Sequence, residues 1–157
     1  MKTFAAIDVG SYELGMKIFE ISSKSGLREI DHIRHRIDLG TDTFATGKIS
    51  YDRVDELSRV LRDYTDIMKG YRVDDYTAYG TSAIRETENT MIVLDQIAQR
   101  TGIRIEVLSN SEQRFLNYKA IAFRGRFNKI VEKGTAIVDI GGGSIQISLF
   151  DKDTLVT

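Results

Sequence analysis

Thr135-Ala136-Ile137-Val138-Asp139-Ile140-Gly141-Gly142-Gly143-Ser144 echoes Thr3-Phe4-Ala5-Ala6-Ile7-Asp8-Val9-Gly10-Ser11. Each stretch is an apolar strand, then Asp-x-Gly, then a turn of small residues. The strands that follow also correspond, with Lys17-Ile18-Phe19-Glu20 resembling Ser148-Leu149-Phe150-Asp151. Such an echo points to two related half-folds. Glycine lets backbone N–H groups approach a phosphate because no Cβ stands in the way. A nest of such groups binds anions. An aspartate at the strand end suits Mg²⁺, which takes oxygen ligands and keeps much of its water. Two ordinary hairpins with glycine turns are the plain alternative, and the shared Asp-x-Gly context weighs against it.

Outward from these turns, period-two alternation predicts strands over Thr3–Val9, Glu13–Ser22 and Leu27–Leu39, joined as an antiparallel meander. Ser50 reads as a helix cap, with Ile49 and Val54 as its staple. Val54, Leu57, Leu61, Tyr64, Met68 and Tyr71 form one stripe closed by Gly70. Tyr76–Gly80 reads as a strand. Asn89 is expected to cap a second helix that ends at Gly102. Ile103–Leu108 reads as a further strand. A third helix starts at Ser109 or Ser111, turns Phe115, Tyr118 and Ala122 inward and stops near Gly125. Residues 124–134 read as a polar, mostly basic loop, followed by strands at Thr135–Ile140 and Ser144–Phe150, with Leu155-Val156 opening another.

This order predicts an α/β fold: a mixed sheet of three antiparallel strands plus parallel strands, with helices on its faces. The expected division is one domain over 1–134 and the opening hairpin of a second, truncated domain over 135–157. Such a hairpin lacks its sheet, so its open edges are expected to pair with another copy, as in a homodimer, or to be loosely ordered.

Composition narrows the function classes. The chain has 157 residues, 41% hydrophobic and 29% charged, enough apolar side chain for a core. With 22 Lys and Arg against 23 Asp and Glu, net charge is -1, which gives no global pull toward nucleic acid or an acidic membrane. There is no cysteine, which removes disulfides, thiolate metal sites and cysteine nucleophiles. No apolar run reaches the ~18 residues of a membrane span. Met1-Lys2-Thr3-Phe4 enters a strand-like run rather than a signal peptide. The reading is a cytoplasmic protein with no nucleic-acid or membrane partner. His32 and His35 fall on opposite strand faces, which argues against joint metal binding. Arg34 and Arg36 read as a solvated edge. Arg124, Arg126, Lys129 and Lys133 read as a hinge loop.

Four stretches in order resemble the exopolyphosphatase and guanosine pentaphosphate phosphatase (Ppx/GppA) family. They are Ile7-Asp8-Val9-Gly10-Ser11, Thr81-Ser82-Ala83-Ile84-Arg85-Glu86, Ile105 to Ser109 running into Glu112-Gln113-Arg114, and Val138 to Ser144. The resemblance spans nearly the whole chain. It implies an actin-like (ribonuclease H-like) domain, the fold shared with sugar kinases and heat-shock chaperones, with an active cleft against a second domain. It also implies Mg²⁺-dependent release of phosphate from polyphosphate or guanosine pentaphosphate. By this resemblance Gly10, Ser11, Arg85, Gly141, Gly142, Gly143 and Ser144 hold phosphate, Asp8 and Asp139 lie near Mg²⁺, and Glu112 activates water.

Three residues depart from the family pattern. Tyr12 stands where Asn is usual, removing a polar contact. Gln146 stands where Glu is usual, and an amide orients water but cannot accept a proton as a base. The helix-start motif is one residue short. Matching Arg114 to the family arginine puts Glu112 in the base position, and a gapless match from Ser109 puts Gln113 there. The chain is therefore expected to be the phosphate-holding part of a hydrolase, nearly inactive by itself. The rivals are a catalytically degenerate module that binds polyphosphate or guanosine polyphosphates, and half of a nucleotide hydrolase or kinase.

Overall fold

A computed structural model describes residues 1–24, 26–123, 125, 127–152 and 154–156, with the backbone alone at residue 128. The chain forms two compact units, Met1–Val107 and Leu108–Thr157. The division at 134/135 was expected from the echo. The compact units group the helices of residues 110–131 with the hairpin that follows them.

In the first unit, β1 (Lys2–Val9), β2 (Glu13–Ser22) and β3 (Gly26–Arg36) form the meander. β4 (Asp75–Gly80) then pairs parallel to β1, and β5 (Glu106–Val107) pairs parallel to β4. The sheet order is β3-β2-β1-β4-β5, the expected mixed sheet. Alternation sets the buried face: Ala5, Ile7 and Val9 on β1 and Leu14, Met16 and Ile18 on β2 are all at most 1% exposed. They join one core with the α2 stripe (Tyr51–Gly70), which contributes Val54, Leu57, Leu61, Tyr64 and Met68. Burial of each Val, Leu, Ile or Met among them stabilises by roughly 1.5–3 kcal/mol. The Tyr64 hydroxyl donates to the Leu14 carbonyl at 3.0 Å, so the ring's polar end is satisfied inside the core. Burial and the charge of Glu13 push that phenol up to about 12.

Several local expectations need correction. β3 ends at Arg36, and residues 39–46 form α1, which the alternation through Leu39 concealed. Asp38 starts this helix by accepting from the Thr41 N–H at 3.1 Å. α2 includes Gly70, and its cap is Tyr71. A short helix, α3 (Ser82–Glu86), follows β4 directly. Gly80 makes this turn possible, since a Cβ there would lie 3.1 Å from both Ile84 and Ile105. Asn89 precedes α4 (Thr90–Thr101), but its side chain does not cap it. That side chain instead clamps the Ile49 backbone, donating to its carbonyl at 2.8 Å and accepting from its N–H at 3.1 Å. Of the strand expected over Ile103–Leu108 only Glu106 and Val107 pair, against Tyr79 and Gly80.

In the second unit, α5 (Asn110–Phe123) and α6 (Phe127–Val131) precede β6 (Thr135–Ile140), β7 (Ile145–Asp151) and β8 (Thr154–Leu155). α6 lies where a basic loop was expected, and Arg124 and Arg126 fall outside the described residues. Among the described residues β6, β7 and β8 pair only with one another. Tyr118 of α5, Phe127 of α6 and Phe150 of β7 form an aromatic cluster with centroids 5.4–6.4 Å apart. The outward face of β6 and β7 carries Val138, Ile140, Ile145, Ile147 and Leu149, each 41–73% exposed. Phe115 and Ala122 do not turn inward as expected. Phe115 is 55% exposed, with the Lys119 ammonium 4.6 Å from its ring centre.

Candidate functional site

The two glycine turns close in the same way. The Gly10 N–H donates to the Glu13 carbonyl at 3.0 Å, and the Gly141 N–H donates to the Ser144 carbonyl at 2.9 Å. A Cβ on Gly10 would sit 2.9 Å from the Glu13 oxygen, so the first turn admits only glycine there.

In the first unit this turn lies at the C-terminal end of β1, beside the C-terminal end of β4. Ligands of open α/β sheets bind at such strand ends. The Thr81 N–H donates to the Val9 carbonyl at 3.2 Å, holding the two ends together. Ser11 is buried, and its carbonyl accepts from the Gly40 N–H at 2.8 Å. The Tyr12 carbonyl accepts from the Ile37 N–H at 3.2 Å. The turn is thus strapped to the start of α1. Asp8, the last residue but one of β1, remains open to solvent. The surrounding protein and then the charge of Glu13 raise its carboxyl above the usual range. Arg85, the last residue but one of α3, has only 14% of its side chain exposed. Its guanidinium donates to Glu86 at 3.0 Å and to the Ser82 hydroxyl at 3.4 Å.

In the second unit, one face of α5 meets the inner face of the hairpin. Asn117 Nδ2 donates to Asp139 Oδ2 at 2.7 Å, and Tyr118 shares a short hydrogen bond with Ser148. Gln146 stands directly opposite Asp139 in the β6–β7 register and is 9% exposed. Both its amide oxygen and its amide nitrogen are buried without a partner among the described residues. Leaving such a group unpaired costs about 1–3 kcal/mol.

Glu112 is engaged at the start of α5. Its Oε2 accepts from the Ser109 N–H at 2.8 Å and the Ser109 hydroxyl at 2.7 Å. The Glu112 N–H in turn donates to that hydroxyl at 3.2 Å. This is a capping box. These hydrogen bonds hold the Glu112 carboxyl below its usual range, first through the Ser109 hydroxyl and then through its N–H. The structure therefore brings together Asp8, Gly10 and Ser11 within the first unit, and Asp139 and Gln146 within the second. Glu112 is occupied in a helix cap. Sequence reasoning missed Asn117, Ser148 and Gly40. The four-residue spacing of Asn117 and Tyr118 with Gln113 and Arg114 was the available signal for the polar face of α5.

Among the described residues no three His, Cys, Asp or Glu side chains gather closely enough to hold a metal by themselves, and no helix is long and apolar enough to cross a membrane.

The sequence pattern of the Ppx/GppA phosphatase family matches residues 17–157. The chain belongs to the Ppx/GppA phosphatase family. Exopolyphosphatase 1 of Mycobacterium leprae is 25% identical over 144 residues, covering 90% of this chain and 41% of that protein. The guanosine-5'-triphosphate,3'-diphosphate pyrophosphatase of Aliivibrio fischeri is 23% identical over 144 residues, covering 92% of this chain and 28% of that protein. The crystal structure of the Aquifex aeolicus Ppx/GppA family member is 27% identical, with a TM-score of 0.79, over 99% of this chain and 49% of that one. An exopolyphosphatase from Cytophaga hutchinsonii has the same fold, with a TM-score of 0.79 at 23% identity. This Ppx/GppA chain spans about half the length of its solved relatives, and its fold is the actin-like α/β fold of that family.

Proposed function

We propose that the chain is the phosphate-chain-binding N-terminal part of a Mg²⁺-dependent phosphoanhydride hydrolase that releases phosphate from polyphosphate or guanosine pentaphosphate. The reading is carried by the paired glycine turns, Gly10 closing on Glu13 and Gly141 closing on Ser144, each preceded by a strand-end aspartate. Backbone N–H groups in such turns suit phosphate oxygens. Ser11, Ser144 and Arg85 would add donors, since guanidinium matches phosphate through parallel hydrogen bonds.

The residues present suit Mg²⁺. The ion takes one or two carboxylates and fills the rest of its shell with water and phosphate oxygens. Burial, and after it the charge of Glu13, raise the Asp8 carboxyl, and a divalent cation beside it would offset both. Asp8 in the first unit and Asp139 in the second would each serve as a carboxylate ligand for such an ion. When bound it would neutralise phosphate charge.

A second reading has a specific observation behind it. Gln146 is an amide where a base is needed, and the Glu112 carboxylate is spent on Ser109. A side chain held below its usual range is a weaker proton acceptor. This favours a binding module that holds phosphate chains without cleaving them.

Titration of the chain with tripolyphosphate, with and without Mg²⁺, tests the shared part of both readings. Saturable Mg²⁺-dependent binding that is lost in Gly10→Val supports them, and absence of binding overturns them. Steady phosphate release from polyphosphate or guanosine pentaphosphate then separates hydrolase from binding module. Release by a protein carrying this chain and the second half of its relatives, abolished by Glu112→Gln, identifies Glu112 as the base. Tight binding without release identifies the module.

A further inference from the structure

Tyr12 is the residue after the buried Ser11 of the first glycine turn, and it is 42% exposed. An aromatic side chain with that exposure is ordinarily mobile. Here the backbone is anchored and the ring tip is packed. The Tyr12 carbonyl accepts from the Ile37 N–H at 3.2 Å, and the preceding Ser11 carbonyl accepts from the Gly40 N–H at 2.8 Å. The phenol end of the ring rests on Gly40, where an added Cβ would lie 3.0 Å from Cζ and 3.2 Å from Oη. Backbone and ring tip are both packed, while 42% of the residue stays open to solvent.

A bare phosphate chain has no use for such a ring. The faces of an aromatic ring carry negative potential, so they do not attract a polyanion. A nucleobase does use it, because each base has a π-face and stacks on aromatic side chains with little regard to base identity. A ring whose tip is already packed against the backbone loses less entropy when a base settles on it than a free one would.

We infer that Tyr12 is a specificity-determining residue that stacks the base of a nucleoside polyphosphate, so that this site prefers nucleoside polyphosphates over bare polyphosphate chains. The inference rests on the phosphate-binding reading of the Gly10–Ser11 turn and adds the part of the ligand that this turn does not touch.

The test compares ligands with the same number of phosphates. GTP, ATP and tripolyphosphate are each titrated calorimetrically into the full chain with Mg²⁺. The wild type should bind GTP and ATP about tenfold or more tightly than tripolyphosphate, the order expected for one base–aromatic stack. GTP and ATP should differ little from each other. Tyr12→Phe should keep the preference, and Tyr12→Ala should abolish it while leaving tripolyphosphate affinity within about twofold. Retained tripolyphosphate binding also reports that the turn is intact in the variant. A wild type that binds all three ligands equally overturns the role of Tyr12 and leaves the phosphate turn standing. A preference that survives Tyr12→Ala does the same. Equal weakening of all three ligands in Tyr12→Ala makes the ring a support for the turn and overturns the stacking role. A wild type that binds none of them overturns the phosphate turn and this inference together.

Discussion

Gln146 faces Asp139 directly across the β6–β7 pair, yet among the described residues only the Asp139 side chain has a hydrogen-bond partner, Asn117 at 2.7 Å. The strand pairing places an unsatisfied amide beside a carboxylate inside the second unit. Gln146→Met should therefore raise stability by about 1–3 kcal/mol, because it removes two buried polar atoms at nearly constant volume. A urea midpoint unchanged or lowered by the substitution would show that the amide has a partner in solution. Gln146→Glu should act the other way, since like charges directly opposite on a sheet repel.

Glu112 and Ser109 form a reciprocal cap, so Ser109→Ala should destabilise the second unit by about 1 kcal/mol. The Glu112 carboxyl is lowered in the folded state. Its contribution is therefore present above the ordinary glutamate range and is lost as pH falls through the lowered folded value. Wild type and Glu112→Gln should differ in urea midpoint at pH 7 and converge only in acid below the lowered folded value. Midpoints that stay apart in acid would contradict this.

Asp8 shows the opposite sign. Its carboxyl is raised by surrounding protein and by Glu13, so the folded chain binds the proton more readily than the unfolded one. Stability falls as pH rises from the unfolded value of about 3.9 through the folded one. Asp8→Asn should raise the melting temperature at pH 7, and the gain should vanish in acid. The same substitution should abolish Mg²⁺-dependent tripolyphosphate binding. A variant less stable than wild type at pH 7 would refute the electrostatic account.

Gly40→Ala should cost about 1–3 kcal/mol, since the new methyl group meets Tyr12 Cζ at 3.0 Å and Ser11 Cβ at 3.1 Å. The cost should shrink when Tyr12→Ala is added, giving a favourable coupling in a double-mutant cycle. Additive effects would mean that the ring does not rest on Gly40.

Much of this architecture could be read from residue patterns, and the limits have physical causes. The meander, the α2 stripe and the two Asp-x-Gly turns were legible because period-two alternation and the three-and-four spacing of Val54, Leu57 and Leu61 are direct records of burial. α3 was not legible: five residues carry no stripe, and Ala83 and Ile84 gain their burial from the core they join. α1 hid because Ile37 and Leu39 continue a strand's alternation until Asp38 starts the helix. Asn89 looked like a cap because its type suits one, whereas the nearby Ile49 backbone competes for the same side chain. At the candidate site, Asp8, Gly10, Asp139 and Gln146 could be singled out from type and position. The isolation of the Gln146 amide and the diversion of Glu112 to Ser109 depend on register and rotamer, which no spacing encodes.

The parallel pairing of β1 with β4 has a consequence for synthesis. Residues 2–9 leave the ribosome well before residues 75–80, their second neighbour in the sheet. The meander can pair β1 on one side early, while its other edge waits for some seventy further residues, at 5–20 residues per second on the order of several seconds. Through that interval the edge that ends at Asp8 and Gly10 has no strand beside it. A nascent chain stalled before Gly80 should therefore be a client for holdase chaperones, and one stalled after Val107 should not.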